Sequence, residues 1–133
     1  MRDHFQGVIS RIQHETIGQP NFELILGRVS AKDYHGLLSG AELAVMTHRQ
    51  EHYRNMESGL ANDCLRLDTP CLVRRGTLTA RNLAAYGGRA FSYAGDHDIV
   101  AAMANLLSNR ARTTTDFERC ARRYRPCLEY PAI

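Results

Sequence analysis

Residues 39–60 read SGAELAVMTHRQEHYRNMESGL, and this stretch has the strongest helical pattern in the chain. Ser39 and Glu42 have the spacing of a capping box, in which each side chain satisfies a free backbone N–H near the other. Gly59 stands where a left-handed residue commonly ends a helix. Between these signals, apolar residues recur at three- and four-residue steps, as they do along one buried stripe. We therefore predict a central helix over about residues 40–58.

Three other segments have the composition of strands. They are residues 22–29, 63–75 and 90–94. The first is short, apolar and preceded by turn residues, so we expect it to be buried. Pro70 interrupts the second, and because proline cannot donate a ladder hydrogen bond it indicates either an edge strand or two short strands.

Four further segments have helical patterns. They are the amino-terminal segment, residues 79–86, residues 96–109 and the segment from Thr115 to Pro126. For the amino-terminal segment, a strand paired with the next segment is the alternative. Thr115 and Glu118 have the spacing of a second capping box. Strands and helices are interspersed, which favours an α+β fold in one domain, residues 1–133. We expect a small sheet packed against the central helix and two carboxyl-terminal helices.

Composition excludes several locations and partners. No apolar run approaches the roughly 18–20 residues of a membrane span. The amino terminus lacks the apolar region of a signal peptide. We therefore expect a cytoplasmic protein without a membrane partner, in which the four cysteines are reduced.

The cysteines fall into two pairs with six intervening residues, Cys64 with Cys71 and Cys120 with Cys127. Structural zinc sites favour two to four intervening residues. We therefore predict that these thiols are small buried hydrophobic groups. A zinc site and a bridge of the Cys71–Cys127 type remain as alternatives.

The positive charge is concentrated near the carboxyl terminus. The net charge is +3, and residues 1–106 contain 11 Lys or Arg against 11 Asp or Glu. Residues 107–133 contain six arginines against three acidic residues. Arginine contacts phosphate and carboxylate groups in a planar, bidentate geometry. The predicted binding residues are these six: Arg110, Arg112, Arg119, Arg122, Arg123 and Arg125.

Three of these arginines have a helical spacing. Arg119, Arg122 and Arg123 stand at i, i+3 and i+4, so we expect them on one side of the last helix. In the structural alternative they only complement the dipole at the end of that helix. The scarcity of aromatic residues between them disfavours stacking on single-stranded nucleic acid.

His48, Glu51 and His52 form the pattern H-x-x-E-H inside the predicted central helix. Two histidines four residues apart on a helix share one face and can hold one metal ion. The pattern resembles the zinc site of the inverted zincin metallopeptidases. This resemblance implies zinc ligation by both histidines, Glu51 as the base and another ligand from residues 96–98, which include His97. In the structural alternative, His52 packs at the margin of the core.

Residues 96–98 read D-H-D. A His-Asp pair with an earlier His and a later Asp resembles the HD phosphohydrolase pattern. The resemblance implies His48 or His52 as the earlier ligand and Asp116 as the later one. HD domains are all-helical, whereas this chain has predicted strands, and Asp96 is also a favourable helix cap.

These observations favour a small binding or accessory protein over an enzyme. We predict that the six arginines contact an anionic macromolecular partner, either an acidic protein or a nucleic acid, and that no cofactor is needed. Small chains without an enzyme motif include phage- or plasmid-encoded inhibitors of a host system. The alternative function is a metal-dependent hydrolase that uses zinc at H-x-x-E-H. Homodimerisation is a further hypothesis.

Overall fold

The computed structural model describes residues 2–128, with side chains from Gln6 onward. Seven α-helices and a three-stranded parallel sheet lie within this range, which confirms the predicted α+β class. The chain divides into two compact units, Met1–Ser30 and Ala31–Ile133. The single-domain assignment stays a prediction. None of the helices in the described range is long and apolar enough to cross a membrane, and the cytoplasmic location also stays a prediction.

The first unit consists of a helix followed by an irregular segment. Helix α1 spans Arg2–Thr16, as the amino-terminal pattern predicts. The chain then turns at Gly18, which has a φ of +75°. The prediction of a buried strand over residues 22–29 is wrong, because this segment is irregular and exposed. An apolar run becomes a strand only where a neighbouring strand accepts its hydrogen bonds, and the sheet is built from three other segments.

The second unit alternates helices with short strands. Its helices are α2 (Ala31–Gly40), α3 (Gln50–Tyr53), α4 (Gly59–Leu67), α5 (Leu78–Ala85), α6 (Ile99–Leu107) and α7 (Arg110–Tyr124). Its strands are β1 (Ala44–Val45), β2 (Cys71–Arg74) and β3 (Ser92–Tyr93). Short 3-10 turns occupy Arg89–Phe91 and Arg125–Leu128. Because helices form the connections, consecutive strands can run parallel.

Strand β2 lies at the centre of the sheet, between β1 and β3. Ala44 of β1 pairs with Cys71, and Val73 pairs with Ser92 of β3. The side chains of β2 are buried from Cys71 to Val73. A strand covered on both faces and paired on both edges has no exposed backbone to satisfy, which makes β2 the most enclosed element of the unit.

The core surrounds this strand and is closed by the face of α7 that points inward. Its largest fully buried side chains are Tyr93, Tyr124, Phe117, Met46, Leu65, Leu72 and Leu83. The hydroxyl of Tyr93 donates to the Met46 carbonyl oxygen at 2.7 Å, which connects the ends of β3 and β1. The edge of the Phe117 ring packs against the Phe91 ring, with centroids 5.0 Å apart.

The predicted central helix over residues 40–58 is wrong. Helix α2 ends at Gly40, and the Ser39 hydroxyl donates to the Gly36 carbonyl oxygen instead of capping a new helix. The following residues enter the sheet as β1. Strand β1 pairs with one edge of buried β2, and the backbone groups of β2 along that edge would have no partner if residues 44–45 were helical. Sheet pairing therefore decides the structure of this stretch, although its sequence has a helical pattern.

The positions of Gly59 and Pro70 also differ from the predictions. Gly59 begins α4, because Ser58 is the cap and accepts from the Ala61 N–H at 3.2 Å. The predicted strand over residues 63–75 is helical up to Leu67, and only its second half forms β2. Pro70 directly precedes this central strand, where its missing N–H costs nothing and its carbonyl accepts from the Ala44 N–H.

The carboxyl-terminal elements follow the predictions more closely. The strand over residues 90–94 is confirmed as the shorter β3, and the helix over residues 96–109 as α6. The final helix begins earlier than Thr115, because Asn109 caps α7 through a 3.1 Å bond from the Arg112 N–H. Thr115 therefore lies inside α7.

Two glycines end α5 and allow α7 to approach it. Gly87 is left-handed, with φ +88°, and the Gly88 N–H donates to the Leu83 carbonyl at 2.7 Å, as in a Schellman motif. A Cβ at Gly88 would lie 2.7 Å from the Sγ of Cys120 on α7 and 3.0 Å from the Leu83 carbonyl oxygen. The contact between α5 and α7 therefore requires glycine at position 88.

We expect Gly88→Ala to destabilise the protein by about 1–3 kcal/mol, because the added methyl group overpacks the contact with Cys120. The measurement is the free energy of unfolding in urea. A second change, Cys120→Ala, should restore part of the loss in the double variant by removing the Sγ.

The matched control is Gly59→Ala, at a position with no atom within 4 Å of the added Cβ and with an ordinary backbone conformation. This variant should be at least as stable as the parent, because alanine reduces the freedom of the unfolded chain. Equal stability of Gly88→Ala and the parent would show that α5 and α7 are not in close contact.

Candidate functional site

Four of the six predicted arginines share the solvent side of α7. Arg112, Arg119 and Arg123 are seven and four residues apart, so they line up along the helix, and Arg122 lies beside them. All four are exposed. We call these four residues the arginine stripe. The opposite side of α7 supplies buried core residues, so packing fixes the direction in which the stripe points.

Asp116 lies within the arginine stripe and interacts with two of its members. Its carboxylate is 3.6 Å from Arg112 and 3.8 Å from Arg119. Both arginine side chains remain largely exposed, at 77% and 66%, so these ion pairs are weak. Arg122 and Arg123 make no ion pair within the described range, which leaves their guanidinium groups available to a partner.

The other two predicted arginines do not belong to the stripe. Arg110 pairs with Glu42 at 2.9 Å, and Arg125 pairs with Asp68 at 3.3 Å. These contacts connect the two ends of α7 to the segments that precede β1 and β2. Arg110 and Arg125 therefore each have a carboxylate neighbour in another segment, and only the other four of the six predicted arginines form the stripe.

A groove adjoins the amino-terminal end of the arginine stripe. Arg112 and Asp116 line this cavity of about 350 Å³. Its other walls include the polar side chains of Asn105, Ser108 and Asn109. A side chain of a partner that contacts the stripe can therefore enter a polar recess at one end of it.

The H-x-x-E-H pattern is not presented on one helix. His48 lies ahead of the four-residue helix α3, and its ring stacks on that of Tyr53 at 4.1 Å. Partial burial lowers the pKa of His48, whereas Glu51 and His52 are exposed. The shared helical face that made a metal site plausible is therefore missing.

The D-H-D sequence lies just after β3, at the same edge of the parallel sheet as the residues that follow β1. Asp98 accepts from the N–H groups of Ala94 and Gly95, at 3.0 and 2.8 Å, and these bonds lower its pKa. Asp96 pairs with Arg74 at 3.1 Å, and His97 is exposed. Two of the three side chains thus have structural contacts.

The described residues contain no group of three His, Cys, Asp or Glu side chains placed to hold one metal ion. His48, His52 and His97 as zinc ligands, and Glu51 as a base, therefore stay predictions. The geometry adds no support to them.

Three of the four cysteines are free and buried, and the fourth is free and exposed. Cys64 shares a hydrogen bond with Cys71, which together with burial raises the pKa of the Cys71 thiol well above its ordinary value. Burial likewise raises the pKa of Cys120. Protonated thiols in an apolar core behave as small hydrophobic groups. Exposed Cys127 contacts the Tyr86 hydroxyl at 2.8 Å.

Comparisons with protein-family models, with curated proteins and with solved structures find no match to this chain.

Sequence reasoning missed the carboxylates that divide the arginines into paired and unpaired groups. The spacing of Asp116 from Arg112 and Arg119, four and three residues, was visible in the sequence and indicates helical ion pairs. The partners of Arg110 and Arg125 lie 68 and 57 residues away, so no local pattern could identify them.

We expect the pKa of His48 to lie below its ordinary value near 6.5, because burial against Tyr53 disfavours the charged ring. An NMR titration of the ring nitrogens measures it. Since the folded pKa is depressed, the stability from neutral His48 is complete above about pH 6.5 and is lost as the pH falls through the folded pKa.

The control for this titration is Tyr53→Ala, which opens one face of the His48 ring to water and should raise its pKa. An unchanged His48 pKa in Tyr53→Ala would show that the stacked ring does not cause the shift.

Proposed function

We propose that this protein binds an anionic macromolecular partner through the arginine stripe. The observation that supports the proposal is the orientation of α7, whose inner face is locked in the core and whose outer face presents four arginines. With Asp116 included, the stripe has four positive charges and one negative charge, a net of +3.

A cationic surface on a rigid helix is suited to binding because its geometry is set before the partner arrives. The buried face of α7 includes Phe117 and Tyr124, so the helix does not need to fold on contact. Arg122 and Arg123 also have no ion pair to lose within residues 6–128 when they bind. Arg122 and Arg123 can therefore bind an anionic group at a lower cost than Arg112 and Arg119.

The proposed binding surface contains four of the six arginines that the sequence predicts. Arg110 and Arg125 are excluded because they lie outside the stripe, and each pairs with a carboxylate of another segment of the second unit. The zinc-dependent hydrolase and the phage- or plasmid-encoded inhibitor stay hypotheses, and no contact in the described structure favours either one.

We expect the triple change of Arg119, Arg122 and Arg123 to Glu to weaken binding to a polyanion strongly. The measurement is the salt concentration at which the variant elutes from immobilised heparin, which should fall well below that of the parent. Because Arg122 and Arg123 lie in the last turn, each reversal also costs about 0.3–1 kcal/mol of helix stability. A circular dichroism melt checks that the fold remains.

The matched control changes Arg28, Arg49 and Arg75 to Glu. These residues are exposed, and the change alters the net charge by the same amount on other surfaces. Elution of the two triple variants at the same salt concentration would refute the proposal, because net charge alone would then explain the binding.

We also expect Asp116→Asn to strengthen heparin binding. The change removes the carboxylate shared by Arg112 and Arg119, so both guanidinium groups become available to the polyanion. Each should add about 0.3–1 kcal/mol to the binding free energy, the size of an exposed ion pair. Glu23→Gln, an equal charge change at an exposed position of the first unit, is the control. Elution of Asp116→Asn no later than this control would contradict the proposed role of the stripe.

A further inference from the structure

We infer that the partner of the arginine stripe is the acidic face of a protein helix and not a nucleic acid, an inference that rests on the proposed function. The stripe is not uniformly positive. Along α7, its charges run positive at Arg112, negative at Asp116 and positive at Arg119, Arg122 and Arg123. The class of partner follows from this alternation.

A phosphate backbone would meet Asp116 unfavourably. Phosphates carry negative charge at every step, so a strand that lies along the stripe brings one of them towards the Asp116 carboxylate. A protein surface avoids this conflict, because it can place a cation opposite Asp116.

The number of unpaired arginines is also small for nucleic acid. Among the residues that the structure describes, only Arg122 and Arg123 of the stripe have no ion-pair partner. Two phosphate contacts correspond to a slope of about −2 in a plot of log affinity against log salt, whereas proteins that depend on phosphate contacts commonly make about 6–10 of them. The stripe therefore has too few unpaired arginines to bind a duplex.

The stripe also lacks a platform for unpaired bases. The two aromatic residues of α7, Phe117 and Tyr124, are buried on its opposite face. Binding to single strands depends on stacking of bases on exposed aromatic rings, at about 1–3 kcal/mol for each base in general. Guanidinium groups alone do not replace such a platform here, because two of the four already have a carboxylate neighbour.

The spacing of the stripe defines the complementary surface. At 1.5 Å per residue, Arg123 and Arg119 are about 6 Å apart along the axis, and Arg119 and Arg112 about 10.5 Å. An antiparallel partner helix matches these positions with Glu at i, i+4 and i+11 and with Lys at i+7 opposite Asp116. The polar groove beside Arg112 receives the end of that helix.

The experiment measures binding of the full chain to three fluorescein-labelled probes by anisotropy at about 150 mM salt. The first is an 18-residue alanine-based peptide with Glu at positions 3, 7 and 14 and Lys at position 10. The second has the same composition with its charges spread around the helix. The third is a 20-base-pair DNA duplex of random sequence. We expect the patterned peptide to bind about fivefold to tenfold more tightly than the spread one, because each of three to four exposed ion pairs adds a small increment.

This preference should disappear when Arg119, Arg122 and Arg123 are changed to Glu, and both peptides should then bind equally. If the duplex binds more tightly than either peptide, and this binding is lost in the triple variant, the partner inference is overturned while the proposed function stands. If none of the probes binds, or if binding survives in the triple variant, the partner inference and the proposed function both fail.

Discussion

The structure depends on the burial of strand β2. Its residues from Cys71 to Val73 are enclosed on both faces, and a buried backbone must have hydrogen-bond partners on both edges. Two short segments provide these partners, β1 before it and β3 after it. The connection between the outer strands through the Tyr93 hydroxyl and the Met46 carbonyl shows how closely the three segments are held. The surrounding helices then cover the faces of this small sheet.

The same constraint explains why α7 presents an arginine stripe. Helix α7 closes the core with side chains that include Phe117 and Tyr124, and these residues set the rotation of the helix about its axis. Once that rotation is set, Arg112, Arg119 and Arg123 must project towards solvent, because they occupy the opposite side of the helix. The orientation of the charged surface is therefore a consequence of apolar packing.

Carboxylates decide how much of this positive charge a partner can use. Arg110 and Arg125 pair with Glu42 and Asp68, so part of their charge is neutralised at the two ends of α7, outside the stripe. Asp116 introduces a negative charge into the stripe itself. A surface with alternating charge distinguishes among anionic partners, whereas a uniform one attracts them all, and specificity of this kind arises from repulsion as much as from attraction.

The sequence by itself determined the α+β class, the presence of α1, β3 and α6 and the helical spacing of Arg119, Arg122 and Arg123. These features depend on neighbours within a few residues, so local patterns contain the needed information. The end of α5 is likewise a local feature, because Gly87 closely follows the helix and only glycine readily adopts the left-handed conformation there. The sequence could not determine that the stretch over residues 40–58 would be divided between the end of α2, β1 and α3, since the deciding hydrogen bonds come from β2, nearly thirty residues later. Nor could it separate Arg110 and Arg125 from the stripe, because their carboxylate partners are 68 and 57 residues away. Tertiary structure decided these points, because buried backbone and ion pairs are satisfied by whichever groups the fold brings near, irrespective of their distance along the chain.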